Sequence, residues 1–196
     1  MKTFFFFGDS ITLGVNDVAA GGWVGRLAGL AAAAGLPVPP STFYNLGARR
    51  HSSRHIRQRW LAEYRARLTA DTSPYLLFCF GTVDMAAPNG NVVVPPEESL
   101  ANARAILEEA RGEAPLLLIS APPVKNPEHG DRIAALNKSY AVLCESLNLP
   151  YADIFAELGD AYIDDLSDGL HPGETGNRLM AECLLRHPTF REWIRP

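Results

Sequence analysis

Three residues have the types and placement for acyl-transfer chemistry: Ser10, Asp168 and His171. Ser10 follows the run Phe4-Phe5-Phe6-Phe7 and the dipeptide Gly8-Asp9, at the end of an apolar segment where a glycine permits a tight turn. A serine hydroxyl is a weak nucleophile until a base accepts its proton. A neutral His171 imidazole can take that proton and return it to a leaving group, and Asp168, three positions earlier on a short loop, can fix its tautomer and stabilise the imidazolium. The same residues also suit simpler roles. Gly-Asp-Ser is a good helix N-cap, and Asp168 with His171 suits a cap ahead of Pro172 and a last helix.

Positioning these groups requires a scaffold, and its outline shows in the hydrophobic pattern. Apolar runs at 3–7, 42–44, 75–80, 116–119 and, more weakly, 151–154 lack polar alternation, as strands covered on both faces do. Between them, 23–34, 53–70, 97–110, 131–147 and 173–185 carry apolar residues at three- and four-residue spacing and read as helices. Pro37, Pro39 and Pro40, Pro74, Pro115 and Pro150 stand ahead of the second to fifth strands. Five strand–helix units predict an α/β layer sandwich with right-handed crossovers, read as a single domain over 1–196. In such sheets the ligand crevice lies outside the carboxyl ends of the strands. That rule points to Gly8-Asp9-Ser10, to 45–50, to Gly81-Thr82-Val83-Asp84, to Ser120-Ala121-Pro122-Pro123 and to the loop ending in His171.

Composition narrows the partners. A chain of 196 residues with 47% hydrophobic and 20% charged residues is ordinary globular material, neither disordered nor fibrous. A net charge of -4 offers no field that attracts nucleic acid or an anionic membrane. Cys79, Cys144 and Cys183 have neither disulfide-framework nor zinc spacing and read as reduced, buried thiols. The start Met1-Lys2-Thr3 and four phenylalanines is broken at Gly8, short of the roughly 7 to 15 residues of a secretory h-region. No stretch approaches the ~20 apolar residues of a membrane span. A cytoplasmic location is expected, with no membrane or nucleic-acid partner and no cofactor.

Taken together, the residues Phe7-Gly8-Asp9-Ser10-Ile11-Thr12-Leu13-Gly14 and Ser167-Asp168-Gly169-Leu170-His171-Pro172, with Gly21 to Leu27 and Asn45-Leu46-Gly47 between them, resemble the SGNH hydrolase superfamily, also called the GDSL esterases and lipases. The likeness spans essentially the whole chain. It implies a flavodoxin-like three-layer sandwich with a five-stranded parallel sheet in the order 2-1-3-4-5, a Ser10 nucleophile and a His171 base oriented by Asp168. In the family, the oxyanion hole combines the serine N–H, a second-block glycine N–H and an asparagine side chain in a G-x-N-D block. Here that block reads Gly81-Thr82-Val83-Asp84, and a valine side chain donates nothing. Losing one such donor costs about 2.7 to 4 kcal/mol of transition-state stabilisation where nothing replaces it. Laying 45–50 along the second block puts Arg50 where the glycine would stand; a backbone N–H serves from any residue but proline. The oxyanion donors implied are therefore the N–H groups of Ser10 and Arg50. Asp9, Gly47, Arg49, Thr82 and Val83, on the same strand-end segments, are expected around the substrate. The Thr82 hydroxyl, Asn89, Asn91 or a water are the groups available to replace the missing donor.

The function expected is that of a serine esterase acting on a small carboxylic acyl ester through an acyl-enzyme, without metal. The alternative, with Val83 as its sign, is a catalytically weak or inactive binding or regulatory protein on the same fold. Arg49, Arg50, Arg54, Arg57, Arg59, Arg65 and Arg67 form a local basic excess that reads either as an anion-binding rim beside the crevice or as a solvated helix face paired with acids such as Glu63. His51 and His55 stand one helical turn apart but lack further ligands at suitable spacing for a metal. The long 85–96 connection, rich in proline, suits a specificity loop.

Overall fold

The computed structural model describes residues 1–17 and 19–195. In chain order the elements are β1 (Lys2–Gly8), α1 (Ser10–Leu13), α2 (Gly22–Ala33), β2 (Thr42–Gly47), α3 (Ser53–Arg65), β3 (Ser73–Cys79), α4 (Pro96–Ala110), β4 (Leu116–Ile119), α5 (Pro127–Leu147), β5 (Tyr151–Ala152), α6 (Gly159–Asp164), α7 (Glu174–Arg186) and α8 (Pro188–Trp193). The strands form one sheet in the order β2-β1-β3-β4-β5, every neighbouring pair parallel. This is the α/β architecture and strand order that the resemblance implied.

The place of β1 inside the sheet, between β2 and β3, explains the phenylalanine run. Successive side chains of a strand point to opposite faces. Phe5 and Phe7 join Trp60, Tyr64 and Ile106 on the side of α3, α4 and α5, while Phe4 and Phe6 join Trp23, Leu27 and Phe190 on the side of α2, α7 and α8. Rings meet edge to face on both sides, Phe5 with Tyr64 at 5.1 Å and Phe6 with Trp23 at 5.5 Å between centroids. Burying each such side chain is worth about 1.5 to 3 kcal/mol, so β1 is a stiff platform for the residues at its carboxyl end.

Several boundaries differ from the sequence expectation for physical reasons. The third helix ends at Arg65 instead of continuing to 70. Thr69 N–H donates to Thr72 Oγ1 at 2.9 Å and Thr69 Oγ1 to Asp71 Oδ1 at 2.6 Å, local bonds that compete with helix. The fifth helix starts earlier, at Pro127, because Asn126 accepts from His129 N–H at 2.9 Å and a proline suits the first turn. The fifth strand has two residues rather than four, since Ser120 Oγ accepts the N–H groups of Ile154 and Phe155 in place of a ladder. The short helices α1, α6 and α8 carry too little periodicity to be read from sequence.

Candidate active site

Ser10 is placed by a clamp on the ends of β1 and β2. Asp9 caps α1, its Oδ1 accepting Ile11 N–H at 2.9 Å. From β2, Asn45 Nδ2 donates to the carbonyls of Thr12 at 2.9 Å and Leu13 at 3.3 Å. The two layers touch so closely that a Cβ on Gly47 would lie 2.1 Å from the Leu13 nitrogen. Beneath them Arg59 donates to the carbonyls of Gly8 at 3.0 Å and Leu46 at 2.7 Å, with Glu63 on its other side at 3.0 Å. A guanidinium thus satisfies two strand-end carbonyls and holds the tips of β1 and β2 together.

His171 arrives from the loop ahead of α7. Asp168 Oδ1 accepts the N–H groups of Leu170 at 2.9 Å and His171 at 2.8 Å, folding the loop so that Oδ2 meets His171 Nδ1 at 2.7 Å. His171 Nε2 lies 2.8 Å from Ser10 Oγ. With the carboxylate accepting at Nδ1–H, Nε2 is left as the acceptor for the serine proton. Partial burial pushes the Asp168 carboxyl up, but the His171 backbone N–H, the His171 ring and the Leu170 N–H together hold it well below the usual range, so it is ionised at neutral pH. The loop is anchored by Asn177, whose Nδ2 donates to the Pro172 and Gly173 carbonyls at 2.7 and 2.8 Å while its Oδ1 accepts Trp23 N–H at 2.9 Å.

A cleft of about 480 Å³ opens over this pair. One wall is apolar, built from Ile11, Val83, Ala86, Pro88, Val93 and Leu170. Asp9, Arg49, Arg50, Thr82 and His129 complete it, so the 85–96 connection does contribute to the wall. Gly47 is not part of the wall; its place is the close contact with α1. Asn89 and Asn91 are exposed outside it, and Thr82 Oγ1 is buried without a partner among the described residues. The backbone N–H groups of Ser10 and Arg50 likewise have no protein acceptor among the described residues. Arg50 has φ 61°, the left-handed conformation that glycine adopts at least cost. At the other end of the sheet, a groove of about 540 Å³ beside Pro115, Pro150 and Trp193 brings together no serine, cysteine or histidine.

The electrostatics below the serine are unusual. Burial pushes the Asp9 carboxyl up to about 6 against its ordinary 3.8; the Ile11 N–H opposes this and the charge of Asp84 adds to it. Its Oδ2 has no partner among the described residues. Asp84 is structural, accepting Ser53 N–H at 2.8 Å and Ser99 Oγ at 2.5 Å.

Sequence reasoning missed His129 and Asn177, and read Arg59 only as one of the seven arginines of the basic excess, not as the bridge between strand ends. His129 Nε2–H donates to the Thr82 carbonyl at 2.8 Å and so orients the loop that carries Val83. Burial lowers its pKa, with Arg132 assisting and the Thr82 bond opposing, so the ring is neutral at physiological pH. Its only sequence signal is a polar residue in the first turn of a long helix. His51 and His55 stack on each other, and His51 Nδ1 accepts from Arg59 Nε at 3.0 Å.

The fold has counterparts among known proteins. No curated protein sequence matches the chain. Among solved structures, an acetylxylan esterase from Geobacillus stearothermophilus superposes with a TM-score of 0.77 at 20% identity over 98% of this chain and 96% of that one. A lipase/acylhydrolase from Enterococcus faecalis gives 0.76 at 23% identity over 99% and 96%. A member of the lipolytic protein G-D-S-L family from Veillonella parvula gives 0.75 at 19% identity over 96% and 99%. These likenesses show the fold. The sequence profile of the GDSL-like Lipase/Acylhydrolase family matches residues 6–179, from the end of β1 into α7. The chain therefore belongs to the GDSL-like lipase/acylhydrolase family of carboxylic ester hydrolases.

Proposed function

We propose that this protein is a serine esterase that hydrolyses small carboxylic acyl esters through an acyl-enzyme. The observation that carries this reading is the continuous hydrogen-bonded chain Ser10–His171–Asp168, at 2.8 and 2.7 Å, opening into the cleft. Ser10 Oγ attacks the ester carbonyl as His171 Nε2 takes its proton, and Asp168 stabilises the imidazolium. The N–H groups of Ser10 and Arg50 receive the oxyanion. His171 then protonates the departing alcohol, leaving the acyl group on Ser10. A water that gives its proton to His171 attacks the acyl carbonyl, and Ser10 is regenerated with release of the acid. The steps need no metal or organic cofactor. Catalytic mutants of the Geobacillus acetylxylan esterase replace a serine and a histidine, which supports the same division of labour. The cleft volume suits a small substrate better than bulk lipid. A single hydrolase domain over 1–196 in the cytoplasm completes the reading; the three buried, unpaired thiols support that compartment.

Val83 favours a second reading, a binding protein with little turnover, because it removes a donor from the hole. Hydrolysis of a chromogenic acetate ester separates the two. The wild type turns it over, and Ser10→Ala loses on the order of 10⁴-fold or more in kcat. Equal rates for the two proteins support the binding protein.

A further inference from the structure

We propose that Arg49 and Arg50 form an anion-binding rim on the cleft, and that the substrate is an ester bearing an anionic group, carboxylate or phosphate, a few bonds from the scissile carbonyl. This rests on the esterase reading of the same site and specifies its substrate class.

The seven arginines of the 49–67 segment divide into two sets. Arg54 pairs with Glu98 at 2.5 Å, Arg57 donates to Asn102 Oδ1 at 3.2 Å, and Arg65 pairs with Glu113 at 2.5 Å. Arg59 is spent on the strand-end carbonyls, and Arg67 donates to the Glu63 carbonyl at 2.7 Å while lying over the Tyr44 ring. Arg49 and Arg50 are exposed, border the cleft, and have no hydrogen-bond or ion-pair partner among the described residues. They precede α3 and so are not part of its solvated face. No charge in the wall answers theirs. Asp9 is the wall's only acid among the described residues, and it is 2% exposed beneath Ser10. Asp168 is already engaged by the His171 ring and two backbone N–H groups. In a chain of net charge -4, the cleft lining therefore includes two arginines without a protein counter-charge among the described residues, alongside an apolar wall.

The backbone adds an independent observation. Arg50 holds φ 61°, a conformation that a glycine would adopt with less strain. A backbone N–H for the oxyanion needs no side chain, so anion binding gives the Arg50 guanidinium a role of its own at a position where glycine would cost less. Guanidinium forks match the paired oxygens of carboxylate and phosphate, and exposed pairs of this kind weaken with salt.

The test uses the Ser10→Ala protein and three acetate esters of similar length: 4-acetoxybutanoate, its neutral counterpart 4-acetoxybutanamide, and 3-acetoxypropyl phosphate. Calorimetric titration at low salt is expected to show an anionic ester binding about tenfold more tightly than the amide. That preference shrinks several-fold at 0.5 M salt and in the Arg49→Gln/Arg50→Gln variant, and whichever anion binds better identifies the group recognised. Equal affinity for all three esters, or a preference that survives both salt and the double variant, overturns the rim. The salt comparison needs no further variant, so a misfolded double variant does not spare the proposal. Hydrolysis of the same esters with Ser10 intact reads the esterase assignment separately: selective binding without turnover keeps the rim and removes the esterase.

Discussion

At the scale of single residues, the chemistry depends on how Val83 is compensated. The His171–Ser10 pair is in place, but the G-T-V-D block supplies no side-chain donor, and Asn89 and Asn91 stay outside the cleft wall. On the proposed reading the hole rests on two backbone N–H groups, those of Ser10 and Arg50. Restoring a side-chain donor with Val83→Asn is expected to raise kcat for a small acetate ester by about tenfold or more, up to the 10² to 10³ that one such donor commands. An unchanged or lower kcat, with the melting temperature preserved, counts against that account. At this scale the sequence was most informative. Ser10, Asp168 and His171 announce themselves because their chemistry is carried by residue type and by two short local motifs. His129 and Asn177 were not legible, because each bonds a backbone group distant in sequence, the Thr82 carbonyl for His129 and the Trp23 N–H for Asn177. No local pattern encodes which backbone group a buried polar side chain will meet.

At the scale of elements, the proposed catalysis requires the four-residue helix α1 to stay fixed on the ends of β1 and β2. Asn45, Arg59 and the glycine contact at 47 do this together. The prediction at this level concerns Gly47→Ala. Its methyl would lie 2.1 Å from the Leu13 nitrogen, a backbone atom, so α1 must shift. A loss of about 1 to 3 kcal/mol in stability is expected, together with a fall in kcat, since α1 carries Ser10. Denaturant unfolding and turnover, measured on one preparation, check both; a variant with native stability and rate contradicts the clamp. Buried strands and long helices were readable from periodicity, and Phe4 to Phe7 show why: a strand covered on both faces has no polar alternation. The short α1, α6 and α8 and the truncated β5 were not, because caps and side-chain bonds such as those of Ser120 define them.

At the scale of the whole molecule, the buried Asp9 carboxyl couples stability to pH. Its pKa is about 6 in the fold against an ordinary 3.8, so between those values the folded state retains a proton that the unfolded chain has released. Its contribution is fully present below 3.8 and is lost as pH rises through about 6, amounting to roughly 3 kcal/mol. Asp9→Asn removes this ionisation and keeps the acceptor for Ile11 N–H. Urea unfolding at pH 4 and pH 8 should therefore show the variant gaining about 2 kcal/mol relative to wild type between the two; parallel changes in both proteins would refute the assignment. The same fold that buries Asp9 gathers the opposite ends of the chain into one site, Ser10 from the start of α1 and His171 from the loop before α7, 161 positions apart. Covalent trapping reports whether the two ends act as one nucleophilic unit. A small fluorophosphonate, followed by peptide mass spectrometry, should label one residue per chain, Ser10, and the labelling should disappear in His171→Ala. Failure to label, or a label on any other residue, would show that Ser10 is not the activated nucleophile.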